Sequence, residues 1–151
     1  MLCCAAFLLF DAGYDVWLAN NRGTTACRSH EWLSPRQAKF WDFSWHEIGV
    51  LDVPAQMDFA LAATNQSKLH YVAHSQGTTT FFVLGSERPE YMDKVKTYVA
   101  MAPIAFLRDV RSVPVRLMSA MQDSLTVSVY PAPQRLSVRC FRYRARPCWG
   151  R

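Results

Sequence analysis

Residues 1–10, MLCCAAFLLF, form an unbroken apolar run that stops at Asp11, with Gly13 just beyond it. An apolar run closed by a glycine predicts a helix over 2–12. The β-prone segment Tyr14-Asp15-Val16-Trp17-Leu18-Ala19 comes next and ends on Asn20-Asn21-Arg22-Gly23, a turn signal, which predicts a strand over 14–19. Residues 24–43 keep no period, although Ser34-Pro35 marks a turn; they read as a long connection over a sheet, rich in aromatics at Trp32, Phe40, Trp41 and Phe43. From Ser44 to Thr64 apolar residues return at helical spacing (Trp45, Ile48, Leu51, Ala55, Phe59, Ala62), with Asp52 and Pro54 suggesting a cap and a restart. One bent helix or two short ones fit that pattern.

Lys68 to Ala73 reads as a second strand, followed by a tight polar turn and a helix from about Gln76 to Ser86; residues 94–102, KVKTYVAMA, give a third strand. Helix and strand alternating over about 100 residues predict an α/β fold, a mostly parallel sheet with flanking helices. Beyond Ala105 the pattern decays. A short amphipathic helix over 114–125 is expected, but 130–151 mixes proline and arginine without a period. A boundary near 108 divides a domain over 1–108 from a poorly specified tail over 109–151.

Charge sharpens that division. Residues 1–107 hold 8 Lys and Arg against 10 Asp and Glu, whereas 108–151 hold 9 Arg against Asp109 and Asp123 alone. The net charge of +5 therefore sits in the tail. No nucleic-acid motif accompanies it, so nucleic acid is not an expected partner. Cys3, Cys4, Cys27, Cys140 and Cys148 form no CxxC pair and no zinc-type spacing with histidine, so neither metal nor cofactor is expected. Their odd number leaves the redox compartment open. Asn65-Gln66-Ser67 is a glycosylation sequon, meaningful only on a secretory route. The apolar start lacks a positive flank and a cleavage site, so it reads as a helix and not a signal peptide, and nothing approaches the ~20 apolar residues of a membrane span.

The chemistry concentrates at Ala73-His74-Ser75-Gln76-Gly77, between a predicted strand and a predicted helix. A serine at the apex of a strand-to-helix turn has its hydroxyl raised above the sheet edge, and small residues two before and two after permit the bend. The usual pattern is G-x-S-x-G; Ala73 adds one methyl at the first small position. Ser75 is thus the candidate nucleophile, and the Gln76 backbone N–H, at the start of the helix, the candidate oxyanion donor. A serine also needs a base and an acid, which in this arrangement follow it in the order Asp/Glu then His. The histidines are His30, His46, His70 and His74, and none follows Ser75. His74 is expected to play a local structural part, and His30 and His46 to be surface or packing residues. Asp109 is a weak candidate acid. Residues 20–23 are first of all a turn, and the aromatics of 40–45 first of all packing, with a substrate role secondary for both.

Four stretches, LLFDAGYDVWLANNRGTTACRSHEWLSP, FWDFSWHEIGVLDVPAQMDFAL, KLHYVAHSQGTT and VAMAPIAF, occur in this order over residues 8–106. In that series the chain resembles the acid lipase family, which includes gastric and lysosomal acid lipases and insect lipases. The resemblance implies an α/β-hydrolase fold, partial here. It also implies a lipase or carboxylic ester hydrolase acting on acylglycerols or cholesteryl esters, with Ser75 as nucleophile through an acyl-enzyme, and a secreted or lysosomal location. The family's downstream Asp and His and its upstream oxyanion segment find no match among these residues. The competing expectation is a truncated, catalytically silent chain that only binds lipid or a partner.

Overall fold

The structure, a computed structural model, describes residues 2–106 and Val113. The expected helix over 114–125, Asp109, Cys140, Cys148 and the basic tail lie outside the described residues. Helix α1 (Leu2–Asp11) stops where the apolar run stops. Gly13 takes φ 91°, Tyr14 N–H reaches the Leu9 carbonyl at 3.1 Å and Gly13 N–H reaches Phe10 at 2.9 Å, a left-handed closure that a side chain would strain.

The chain then departs from expectation: residues 14–19 are no strand. A strand exists only through a ladder, and among the described residues the sheet holds two strands, neither of them paired with this segment. Its aromatics make side-chain contacts instead, Tyr14 edge-on to His70 and Trp17 edge-on to Phe59.

Trp45 to Thr64 is a single helical run with an irregular middle. Helix α2 (Trp45–Glu47) passes into a π-helical turn (Ile48–Asp52), where Val53 N–H reaches back to the Ile48 carbonyl, and then into α3 (Val53–Thr64). Pro54 has no N–H to offer the Val50 carbonyl four residues earlier. Arg88 supplies a donor to that carbonyl from elsewhere in the chain, at 3.4 Å. Asp52 is not the cap that sequence suggests, being αR with no capping bond. Its carboxylate accepts the Arg22 backbone N–H at 2.9 Å and the Arg22 Nε at 2.7 Å, while Gln56 Nε2 donates to the Asn20 carbonyl. The 20–23 turn is thereby tied to the helix. Asp52→Ala is expected to cost about 1–2 kcal/mol, the worth of a charge-assisted pair discounted for an arginine one-third exposed. Urea unfolding reads the loss, and amide exchange at residues 20–23 should rise. Unchanged exchange at Arg22 would show that the pair does not hold the turn.

Ser44 starts the run. Its Oγ accepts His46 N–H, and Glu47 returns a carboxylate to both Ser44 N–H and Oγ at 2.6 and 2.7 Å. These bonds, the one from the Ser44 side chain foremost, lower the Glu47 pKa from 4.5 to about 2. A depressed folded-state value means the stabilisation is present above about 4.5 and disappears as pH falls toward about 2. Ser44→Ala should raise the Glu47 midpoint toward 4.5, observable by NMR titration of its carboxyl carbon. An unmoved midpoint would show that the capping box is not formed.

Strand β1 (Leu69–His74) pairs in parallel with β2 (Val95–Met101), in register from His70 opposite Thr97 to His74 opposite Met101. Helix α4 (Gln76–Glu87) and a 3-10 turn (Pro89–Lys94) make the crossover between them. The core lies on one face of this pair, where Phe81 stacks on Tyr98 at 3.9 Å and tilts over Tyr71 at 4.6 Å. Ile48, Val53, Met57, Leu84 and Tyr91 close it, with Phe43 of the long connection packed against them. At its edge, Asp58 accepts bonds from Tyr91 Oη and Lys94 Nζ, linking α3 to the crossover. The α/β class holds, as a parallel pair with flanking helices.

Candidate active site

At Ser75 the backbone leaves the strand abruptly, with φ 54° and ψ −122°. A residue with a side chain pays about 1–3 kcal/mol to sit in such a sparsely populated conformation, and persists there only when neighbours hold it. They hold it on both sides. Ser75 N–H donates to the Met101 carbonyl at 3.0 Å, carrying the parallel ladder one residue past the strand. The Ser75 carbonyl accepts Thr78 N–H at 2.9 Å and Thr78 Oγ1 at 2.6 Å. The Ser75 hydroxyl has no hydrogen-bond partner among the described residues, and the side chain is half-buried.

Helix α4 begins at the next residue. Its first N–H groups, those of Gln76 and Gly77, lie in the opening turn where no intrahelical acceptor exists. Twelve residues of aligned peptide dipoles give that end partial positive charge beside the serine. The helix start thus sets N–H donors unbonded among the described residues, and a field that favours negative charge, beside Ser75. The pinch between the flanking small residues is mild. A Cβ built on Gly77 would come 3.6 Å from the Ala73 Cβ, an ordinary contact, which explains how the turn accepts alanine at its first small position.

The run Thr78-Thr79-Thr80 turns out to matter more than sequence suggested. Thr78 and Thr80 are fully buried. Thr78 Oγ1 also accepts Ile104 N–H at 3.0 Å, and Thr79 Oγ1 donates to the Ile104 carbonyl at 2.7 Å. The segment leaving β2 is thus clasped to the helix that carries the turn, just after Ala102 takes φ 50°. Three β-branched residues in the first turns of a helix, where propensity disfavours them, were the available signal. Beneath the turn, burial, helped by neighbouring Tyr98, pushes the Tyr71 phenol up to about 12, so it stays neutral.

The histidines are spread over the fold. His30 is exposed, and its Nδ1 accepts the N–H groups of Trp32 and Leu33. His46 is exposed on α2, as expected. His70 is exposed beside Tyr14, and His74 closes β1 half-buried, next to the serine. The aromatics of 40–45 pack largely on one another: Phe40 on Trp41 at 5.0 Å and Trp41 over Phe43 at 6.4 Å. Among the described residues, no group of His, Cys, Asp and Glu is placed to hold a metal ion. No helix there is long and apolar enough to cross a membrane.

Comparison with known proteins follows the same lines. The profile of the alpha/beta hydrolase fold matches residues 3–137. Lipase 1 of Drosophila melanogaster is 49% identical over 124 residues, 82% of this chain and 28% of that protein. Gastric triacylglycerol lipase of Homo sapiens is 47% identical over 107 residues, 71% of this chain and 27% of its own length. Lipase member K of Mus musculus is 43% identical over 122 residues, 81% of this chain and 31% of its own. The chain thus spans between about a quarter and a third of the length of these curated relatives, and the resemblance read from the four sequence stretches is borne out.

Proposed function

Since this chain belongs to the alpha/beta hydrolase fold family, we propose that it carries the nucleophile portion of a serine ester hydrolase of lipase type. The observation that supports this reading best is Ser75 itself, held at φ 54° between a parallel strand and the free N–H groups that open α4. In the proposed reaction Ser75 Oγ attacks the carbonyl carbon of an ester and the negative charge moves onto the carbonyl oxygen. The Gln76 N–H and the helix field receive that charge. Collapse of the intermediate expels the alcohol and leaves an acyl-enzyme, which water hydrolyses to the fatty acid and free serine. Acylglycerols or cholesteryl esters are the substrate class in this reading, and a secretory or lysosomal compartment the location. The likeness to a gastric triacylglycerol lipase supports the acylglycerol substrate and a secretory route.

The base is the part that residues 1–151 do not supply in the usual order, since no histidine follows Ser75. A second reading, in which the protein binds lipid or a partner without catalysis, is the other outcome of the same test. The test uses the longest natural protein whose transcript contains this sequence, assayed on a triacylglycerol emulsion. The hydrolase reading expects turnover that Ser75→Ala abolishes and a fluorophosphonate adduct mapped to Ser75. Lipid binding without turnover or adduct would establish the second reading instead.

A further inference from the structure

Helix α3 must stop before the chain can turn into β1, and the residue that stops it is Asn65, at φ 53° and ψ 39°. Its backbone N–H returns to the Ala62 carbonyl, and the Gln66 N–H reaches Leu61 at 3.0 Å, which satisfies the helix's last carbonyls. This accounts for the backbone of Asn65 but not for its side chain. Glycine would occupy the same left-handed position at lower cost, so the helix stop by itself does not call for a carboxamide. That carboxamide makes no hydrogen bond among the described residues, and residues 65–68 are all exposed. Two positions on stands Ser67, exposed and with its hydroxyl equally unengaged among those residues. An unbonded asparagine amide, an exposed loop and a hydroxyl at the second following position together make the acceptor for N-glycosylation.

We propose that Asn65 carries an N-linked glycan, a site that rests on the secretory location suggested above. The donor is a lipid-diphosphate-linked oligosaccharide. Asn65 Nδ2 forms a bond to C1 of the first sugar while the C1–O bond to the diphosphate breaks. The lipid diphosphate leaves with the electron pair, and the amide nitrogen gives up one proton to a base of the transferase. Placement in the fold suits the modification. Asn65 precedes the N-terminal end of β1 and Ser75 follows its C-terminal end, so six residues of strand, roughly 20 Å at about 3.3 Å each, separate the two rims. A bulky hydrophilic chain at Asn65 stands on the rim away from the turn that presents Ser75 and leaves the substrate approach uncovered.

The experiment compares two preparations of the protein. One is the 151-residue chain directed into the secretory pathway of cultured cells by an added leader; the other is the natural protein captured from its own tissue. Each is treated with a peptide N-glycosidase in heavy-oxygen water, which converts a glycan-bearing asparagine to labelled aspartate, and the peptide containing residue 65 is read by mass spectrometry. Labelled aspartate at position 65 is expected in most molecules of both preparations. In the leader-directed chain Ser67→Ala should abolish it and Ser67→Thr preserve it, with unchanged circular dichroism, because neither substitution touches the Asn65 helix stop. Unmodified Asn65 in the leader-directed chain would overturn the site itself. Modification there but none in the natural protein would overturn the secretory location, and the proposal with it, while leaving the Ser75 chemistry standing.

Discussion

Purified on its own, the 151-residue chain should hydrolyse a short-chain activated ester barely above the uncatalysed rate, and Ser75→Ala should leave that residue of activity nearly unchanged. The expectation follows from the parts of the reaction these residues can supply. Ser75 is held in a strained, half-buried turn, and the N–H groups that open α4, the proposed oxyanion donors, lie beside it. An unactivated serine is nevertheless a poor nucleophile near neutral pH, and loss of triad members costs about 10⁴–10⁶-fold in rate. A missing oxyanion donor costs roughly another 10²–10³-fold. The Ser75 hydroxyl meets no base among the described residues. His30 already accepts two backbone N–H groups in its own loop. Fluorophosphonate labelling should be slow for the same reason, since phosphonylation requires the proton removal that acylation requires. Brisk turnover abolished by Ser75→Ala would overturn this expectation and direct attention to His46, His74 or a second subunit as the base.

The second large effect is expected at the seam between α4 and the π-helical turn, where the turn that carries Ser75 gains its support. Leu84 is fully buried there among Ile48, Val53, Met57 and Phe81. Leu84→Ala removes apolar contact and leaves a cavity that helices on both sides cannot collapse to fill, at a cost of about 2–5 kcal/mol. Against a total stability of roughly 5–15 kcal/mol for an ordinary domain, that is a large fraction of the whole. The opposite change tests the same seam. A Cβ on Gly49 would lie 2.8 Å from both the Thr80 carbonyl oxygen and the Val83 Cβ. Backbone must move to admit it, so Gly49→Ala should destabilise by about 1–3 kcal/mol. Gly77→Ala, whose new methyl meets only an ordinary contact, serves as the control and should be tolerated sterically. Urea midpoints order the three variants. A Gly49→Ala protein as stable as wild type would mean that α4 and the π-turn do not approach as closely as described.

These expectations draw unequally on sequence and on three-dimensional structure. The chain alone specified what depends on neighbours a few residues apart. The apolar run with Gly13 marked α1, the β-prone 68–73 and 94–102 marked β1 and β2, and Ala73-His74-Ser75-Gln76-Gly77 between a strand and a helix marked the turn. Periodicity and turn chemistry act over that range, so they can be read directly. Tertiary structure decided everything that needs a partner far along the chain. Residues 14–19 carry a strand's composition, yet a strand is a hydrogen-bonded relation between two segments, and no ladder among the described residues includes them. Asp52 has the composition of a cap, but Arg22, thirty residues earlier, offers its carboxylate a charged donor that no local backbone could match. The Thr78 and Thr79 hydroxyls could have bonded only within their own helix; the path of the chain after β2 brings Ile104 to them. Ser75 shows both sides at once. Its neighbours in sequence announce a sharp turn, whereas the Met101 carbonyl across the sheet and the buried Thr78 hydroxyl hold its backbone in the strained conformation. Local pattern fixes which conformations are cheap, whereas the strained one at Ser75 also draws on a long-range contact, the Met101 carbonyl, and leaves the serine hydroxyl unbonded among the described residues beside a helix terminus.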